Sequence, residues 1–536
     1  MCALLKRLPT RGQGRLMVMA VLLIAVLLVS GTTIGASVSK PSGLPLSGLP
    51  GGPVGAAALG SLELSIDARG HDPHAVHLTL DGRPVAGEIV GDTVRLRPGN
   101  LADGGHTVTA EIAPGGLFGW MRRGPGVTRT FTVDTTPPGL DVAESQPVSS
   151  YRQPVTVRGT APGAQRISVG TASVAPDSKG AFAITTPRAP VGASVVAVDA
   201  AGNTTTRQAD SSVAVPRMKA VHVTAYGWAD EGLREGVLAM AREGRINTVE
   251  LDIKDEDGVV GYASDVPLAR ETGAAAGIYD ARAALKTLHD MGIRVEGRIV
   301  AFRDPALAGW AWGSGRPDWV VQNPGGAPYS SGYGAIAFTN FASPGVRRYN
   351  IDLAAEAARL GFDGVMYDYV RRPDGPMDGM RFAGLADQPS RSIAEFLRES
   401  RDPVRDSGAA LGAAVFGIAV TRPEQIAQDI RMMAQHVDYV APMVYPSHWG
   451  PGEYGVADPN AQPYDIVARS LPEFRAQTEG TGAKVIPWLQ DFSLGVNYGD
   501  NEVRAQIDAA AAAGVDSFLL WNPSVRYHAG AVAPDL

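Results

Sequence analysis

The stretch VRRYNIDLAAEAARLGFDGVMYDYVRRP, residues 346–373, decides how the larger part of this chain folds. Its first half is rich in Ala, Leu, Arg and Glu and closes on Gly361, as the C-terminus of a helix prefers. Val365, Met366 and Tyr367 then read as a short buried strand. Asp368 follows at once, with Arg371 and Arg372 just beyond. A charge at the end of an apolar run is costly to bury unless it is paired or presented at a site.

The same alternation runs on both sides of this stretch. Strand-like runs stand at 220–226, 246–253, 294–302 and 364–370, and again at 411–418, 437–445, 484–492 and 517–523. Helical runs such as LREGVLAMAREG (233–244) and YDARAALKTLHDMG (279–292) lie between them. Eight strands separated by helices predict a C-terminal (β/α)8 barrel over 216–536 rather than an open doubly wound sheet. Little chain follows Ser524, so the last outer helix is expected to be missing.

Upstream the texture differs. Residues 61–136 and 137–215 hold short alternating runs (LELSI, HLTL, TFTV) between Gly, Pro and Asp, the pattern of two all-β sandwiches. TFTVDTTPP (130–138) and VAVDAAGNT (196–204) resemble strand and turn motifs of bacterial immunoglobulin-like domains, a resemblance that implies a spacer. Residues 37–60 are rich in Pro, Gly and Ser and read as a linker. Residues 1–36 place Lys6, Arg7, Arg11 and Arg15 before an apolar run, Leu16 to Val29, and read as a signal peptide or signal-anchor helix, the uncleaved anchor preferred. Everything after it is then expected outside the cytoplasm, anchored to the cell membrane or secreted.

Composition removes several classes. A net charge of −7 argues against a nucleic-acid partner. Cys2 is the single cysteine, which excludes intrachain disulfides, Cys-ligated zinc and a thiol nucleophile elsewhere. KDEDG (254–258) fails the EF-hand pattern, because Ile253 and Ser264 would fall at ligand positions. No HExxH, GxSxG or GxxxxGK motif occurs, so no metal and no cofactor is expected.

In such a barrel the chemistry sits at the C-terminal strand ends. Those ends carry Tyr226 and Trp228, then Asp252, Lys254 and Asp255, then Arg298 and Arg303, and then Asp368 and Arg371. The later strands add Phe416, Tyr445 with His448, Trp488 with Gln490 and Asp491, and Trp521 with Asn522. Seven of the eight tryptophans lie in this part of the chain. An aromatic face suits a sugar ring, which is part apolar and part wet. The loop 303–340, with three Trp and two Tyr, is expected to be a lid or binding wall.

HVTAYGW, LDIKDEDGVVGYASDVPLARETGA (251–274), GRIVAFRDP (297–305) and FDGVMYDYVRRP resemble a bacterial glycoside hydrolase domain of TIM-barrel type. APMVYPSHWGPGEYG (441–455), PYDIVARSL (463–471), PWLQDFSLG (487–495) and WNPSVRY (521–527) extend the resemblance over about 219–527. It implies a glycosidase fold; glycoside hydrolysis needs two carboxyl groups flanking the bond, and a cell-surface or extracellular polysaccharide is the expected substrate. Asp368 is the expected nucleophile or charge stabiliser, kept ionised by Arg371 and Arg298. The family usually has an Asp in its fifth-strand motif where this chain has Ala414, so Asp491 or Asp255 is expected to supply the second carboxylate. Tyr226, Trp228, Asp252, Arg298, Arg371, Tyr445, His448, Trp488, Gln490, Trp521 and Asn522 are the expected substrate contacts. Ala414 keeps open a glycan-binding barrel without turnover, and a purely structural envelope protein is the third possibility. The oligomeric state is not legible.

Overall fold

The computed structural model describes residues 43–112, 124–143, 148–189, 193–209 and 213–534, so the expected signal or anchor helix lies outside the described residues. Among the described residues no helix is long and apolar enough to cross a membrane. The chain forms two compact units: one extends to Pro137 and takes in Ala200–Asn203, the other holds Pro138–Asp199 and everything from Thr204.

The first unit has two four-stranded antiparallel sheets, of which Leu64–Asp67 and Thr93–Leu96 belong to one and Val76–Leu80 and Gly104–Ile112 to the other. Alternate residues of both sheets, among them Ile66, Val94, Leu78 and Val108, enter one apolar cluster. Of the segment 37–60 expected to be a linker, the described part, 43–60, joins this unit instead. Leu46–Ser47 pairs with Leu64–Asp67, and Leu44, Val54 and Leu59 are buried in the same cluster. The Pro and Gly residues hide an apolar set spaced widely enough to reach the core from a short strand, a bridge at Val54 and the one-turn helix Ala56–Gly60.

The second unit begins with a three-stranded and a four-stranded antiparallel sheet whose facing residues, such as Val157, Ile184, Ile167 and Val195, share a cluster. It is fastened to the N-terminal side of a barrel. The Tyr151 hydroxyl donates to Asp438 Oδ1 at 2.8 Å, and Arg152 Nη2 donates to the Phe362 carbonyl at 2.9 Å.

The barrel strands are β1 (Lys219–Val223), β2 (Thr248–Lys254), β3 (Arg294–Val300), β4 (Gly364–Asp368), β5 (Ala410–Phe416), β6 (Tyr439–Met443), β7 (Lys484–Val485 and Trp488–Gln490) and β8 (Phe518–Trp521). Each pairs in parallel with the next, and Lys219 opposite Phe518 returns β8 to β1. Strands buried on both faces read as continuous apolar runs, and every residue of β1, β2 and β4 is buried. Pro487 splits β7 because it has no N–H to give the ladder.

Each gap between successive strands holds a helix that packs outside the barrel: α1 (Glu231–Arg242), α2 (Ala281–Asp290), α3 (Pro344–Leu360), α4 (Pro389–Asp406), α5 (Ile430–Ala434), α6 (Pro463–Thr478) and α7 (Asp500–Ala512), with shorter helical pieces in the first three gaps. The opening stretch is α3 followed by β4: Pro344 starts the helix where no N–H is needed, and Gly361 ends it at φ 128°. After β8 the described residues, through 534, form the turn Ala529–Ala531.

The strands approach closely at glycine. A Cβ on Gly412 of β5 would stand 2.2 Å from the Tyr439 ring on β6, whose hydroxyl is held by Glu296 of β3 at 3.0 Å. Because the ring is tethered across the barrel, Gly412→Ala is expected to destabilise it by about 1–3 kcal/mol. Chemical denaturation followed by tryptophan fluorescence checks this.

Candidate active site

Asp368 is the last residue of β4 and is 2% exposed. The chain turns immediately after it, since Tyr369 has φ 46°, a left-handed conformation uncommon for a bulky residue. That turn aims the Tyr369 N–H back at Asp368 Oδ1, at 2.6 Å. The other oxygen, Oδ2, accepts from Arg298 Nε at 2.9 Å and Nη2 at 2.6 Å. Both oxygens of Asp368 are therefore held.

Arg298, from β3, is the centre of the site. Its Nη1 donates to Asp252 Oδ1 at 2.9 Å, and its Nη2 also donates to Glu256 Oε1. One buried guanidinium thus serves three carboxylates from β2, the loop after it, and β4. Burial works against its charge, but Glu256, Asp368 and Asp252 together hold its pKa well above the ordinary arginine value. For Glu256 and Asp252 burial pushes the carboxyl up. The cations overrule it, Arg298 for Glu256 and His222 with Arg298 for Asp252, and both pKa values fall below the ordinary.

Above this cluster opens a cavity of about 390 Å³, within the usual size of a small-ligand site. Its polar groups are Glu256, Arg298, Asp368, Asp374 and His448, and its walls are Trp449, Trp488, Trp521, Tyr445, Tyr333, Tyr369, Phe416 and Met443. Among the described residues, no group of three or more His, Cys, Asp or Glu could hold a metal ion. Tyr445 stays protonated, because burial and the Asp368 charge push its pKa well above 10.0. Burial lowers the His448 pKa below 6.5, so that ring enters the site neutral at pH 7.

Of the residues expected from sequence, Asp368, Arg298, Tyr445, His448, Trp488 and Trp521 line this cavity. Asp252 lies beneath it on Arg298. Gln490 and Asn522 brace the rim instead: Gln490 Oε1 accepts the Ser447 N–H at 3.0 Å, and Asn522 Nδ2 donates to the Arg526 carbonyl at 2.6 Å. Trp228 is packed in the barrel core, and Tyr226 is 62% exposed on the short helix after β1, outside the cavity lining.

Arg371 does not pair with Asp368, contrary to expectation. The turn at Tyr369 carries it behind the cavity wall, where it lies 4.3 Å from the Phe416 ring centre and donates to Asp374 Oδ1 at 3.2 Å. Of the loop 303–340, Tyr333 reaches the cavity. Trp310 and Trp319 instead enclose Arg316, at 4.8 and 4.9 Å, and with Trp312 they pack on Ala308, Ala311 and Val320.

Neither candidate for the second carboxylate lines the cavity. Asp255 and Asp491 both have pKa values raised to about 6 by burial, the tuning an acid catalyst needs. However, Asp255 Oδ1 accepts the N–H groups of Asp257 and Val259, at 3.0 and 2.9 Å, and so closes its own turn. Asp491 is taken up by His528, whose Nδ1 lies 2.5 Å from Oδ1.

Sequence reasoning missed Glu256, although a signal was present. An Asp two residues before a turn N–H and three before Gly258 is the usual turn-closing residue, which leaves the next, longer carboxylate to reach outward. Ala414 is buried in a cluster with Met366, Ala441, Tyr445 and Trp488, so the barrel interior is apolar at that position.

No curated protein matches the chain. A hypothetical protein from Ruminiclostridium thermocellum is 31% identical over 36% of this chain and 96% of its own, with TM-score 0.33. The PgaB (BpsB) glycoside hydrolase domain from Bordetella bronchiseptica is 16% identical over 58% of this chain and 95% of its own, with TM-score 0.42. An endo-1,4-beta-D-mannanase from Thermotoga petrophila is 12% identical over 57% of this chain and 88% of its own, with TM-score 0.40. The family model described as "Putative glycosyl hydrolase domain" matches residues 220–527, from β1 through β8 and into the tail, and the chain belongs to that family.

Proposed function

We propose that the barrel hydrolyses a glycosidic bond in a cell-surface or extracellular polysaccharide, with Asp368 and Glu256 as the working pair. The observation that carries this reading is that Arg298 Nη2 holds an oxygen of each carboxylate at the floor of one aromatic-walled cavity. Two oxygens bonded to the same nitrogen lie within about 5.5 Å of each other. That bound falls short of the roughly 6.5–9.5 Å of inverting glycosidases and so favours the closer spacing, about 5–5.5 Å, of retaining ones.

Asp368, fixed at both oxygens, is suited to face the developing positive charge at the anomeric carbon. Glu256 has one arm on Arg298 and a side chain 29% exposed, so it can move. Its acidity depends on that contact. A sugar that displaces Glu256 from the guanidinium leaves burial as the largest influence on its carboxyl, which raises the pKa toward that of a proton donor. Trp488, Trp521 and Trp449 offer rings for sugar faces.

The basic and apolar N-terminal segment and the two upstream β regions support an extracytoplasmic setting, in which immunoglobulin-like spacers hold the barrel away from a membrane anchor. The test incubates the full chain with bacterial polysaccharide fractions and reads released fragments by mass spectrometry. Glu256→Gln is expected to lower release by about 10²- to 10⁴-fold while the glycan is still retained.

A second reading is favoured by Ala414 and by the full engagement of Asp368: a barrel that binds glycan without cleaving it. It predicts saturable retention that Trp449→Ala weakens, and no release by any form of the protein.

A further inference from the structure

Beneath Arg298, the barrel interior holds a second set of charges. His222 of β1 is fully buried, with its ring 4.4 Å from Trp521 and 5.7 Å from Trp488. Its Nδ1 lies 2.9 Å from Glu250 Oε2, and its Nε2 lies 3.5 Å from Asp252 Oδ2, an ion-pair separation. Nε2 and Oδ2 are both buried and neither has a hydrogen-bond partner among the described residues, so each faces only the other. A neutral imidazole carries one N–H and would turn a lone pair toward one of these carboxylates. Only the cation presents a donor to each. The chain Glu250–His222–Asp252–Arg298 then runs without a break to Glu256 and Asp368.

We propose that His222 is a positioning residue: an imidazolium clamped between Glu250 and Asp252, which holds Asp252 on Arg298 and thereby fixes the guanidinium that orients Glu256 and Asp368. This rests on the reading of those two carboxylates as the working pair.

The charge inventory supports it. Arg298 alone would face three buried carboxyls, Glu250, Asp252 and Asp368, and the partly exposed Glu256; with His222 there are two cations. With Glu250 ionised beside the imidazolium, which pulls against the rise to about 7 that burial causes, the carboxylates outnumber the two cations, and the set retains a net negative charge facing the cavity, suited to a cationic transition state. Burial opposes protonation of His222, but the charge of Asp252 and the bonds to both carboxylates raise its pKa to about 9. The sign follows. Its stabilising contribution is complete below the unfolded value of 6.5 and is lost as the pH rises through about 9. The other groups facing this pair are the Tyr527 hydroxyl, which donates to the His222 carbonyl at 2.5 Å, and Tyr439 and Tyr445, whose phenols feel the Glu250 charge. All three phenols have pKa values well above 10.0, so none titrates in this window.

The experiment uses the full chain with its histidine imidazoles labelled with heavy nitrogen, and the His222 signal is assigned by its disappearance in His222→Gln. Both ring nitrogens should be protonated at neutral pH, with loss of one proton only in the alkaline range. In Glu250→Gln, which keeps the shape and a polar partner, that titration should move to lower pH, and the alkaline limb of kcat should move with it by the same amount. His222→Gln should lose the limb altogether, with kcat reduced about 10-fold or more and KM nearly unchanged. A singly protonated His222 at neutral pH, or a limb that stays in place in Glu250→Gln, overturns the proposal. If no polysaccharide is cleaved but His222 titrates as described and shifts in Glu250→Gln, the clamp stands and the hydrolase reading fails.

Discussion

Replacing Asp368 by Asn is expected to lower turnover by about 10³-fold or more, while glycan retention changes by less than about threefold. The amide is nearly the same size and keeps an oxygen, so the cavity walls and the Arg298 framework stay in place. What disappears is the negative charge facing the anomeric carbon, which matters in the transition state far more than in the bound ground state. The one oxygen that Asn keeps can still accept from Arg298, which Asp252 and Glu256 hold as well, and the bond from the Tyr369 N–H is then lost. A large fall in kcat at near-constant KM therefore identifies Asp368 as acting in the reaction. Equal loss of binding and turnover would instead mark it as a structural partner of Arg298. Initial rates on a cleaved fraction, with retention measured on the same fraction, separate the two.

Arg298→Met carries the second large effect. Methionine fills much of the same space beside Trp521, whose ring centre lies 5.4 Å from the guanidinium. Loss of the guanidinium leaves Asp368, almost fully buried, without its cation, and leaves Asp252 with His222 alone. Breaking a buried pair by removing one member costs about 3–5 kcal/mol. The pH dependence gives a sharper signature. In the native chain Asp252 and Glu256 are held below their ordinary pKa values, so their contribution is present near neutrality and lost as the pH falls through the carboxylate range. Without Arg298 the burial penalty acts on each carboxyl unopposed by the guanidinium, and protonation relieves it. The stability deficit of the variant is thus expected to shrink between pH 7.5 and pH 5, on the order of 1 kcal/mol for each pKa unit by which a carboxyl rises. Chemical denaturation at the two pH values checks this through Trp488 and Trp521, which lie beside the site. A pH-independent deficit would mean that lost packing, not charge, is responsible.

The barrel was legible because its signals are local and repeated. Gly361 at a helix end, the buried run 364–367 and the abrupt Asp368 are each set by neighbouring residues, and the eight runs agree with one another. The segment 43–60 was misread because its burial depends on a sheet formed by residues far along the chain, which composition cannot report. The site was legible in part for the same reason. Strand-end position was enough to find Asp368, Arg298, Tyr445, Trp488 and Trp521. It could not tell Asp255, which turns inward to close its own loop, from Glu256 beside it, because that choice is made by backbone N–H groups at Asp257 and Val259. Arg371 was misplaced by a single left-handed residue, Tyr369. His222 looked like one of nine scattered histidines, and its partners on the next strand emerge only from the register that sets His222 opposite Glu250.

The central claim, that this cavity hydrolyses a glycosidic bond, is tested most directly by incubating the full chain with polysaccharide in heavy-oxygen water and analysing the products by mass spectrometry. The account predicts oligosaccharides carrying one heavy oxygen at each new reducing end, and their absence with Asp368→Asn. Retention of the polysaccharide without any labelled fragment would contradict it and establish the barrel as a glycan-binding module.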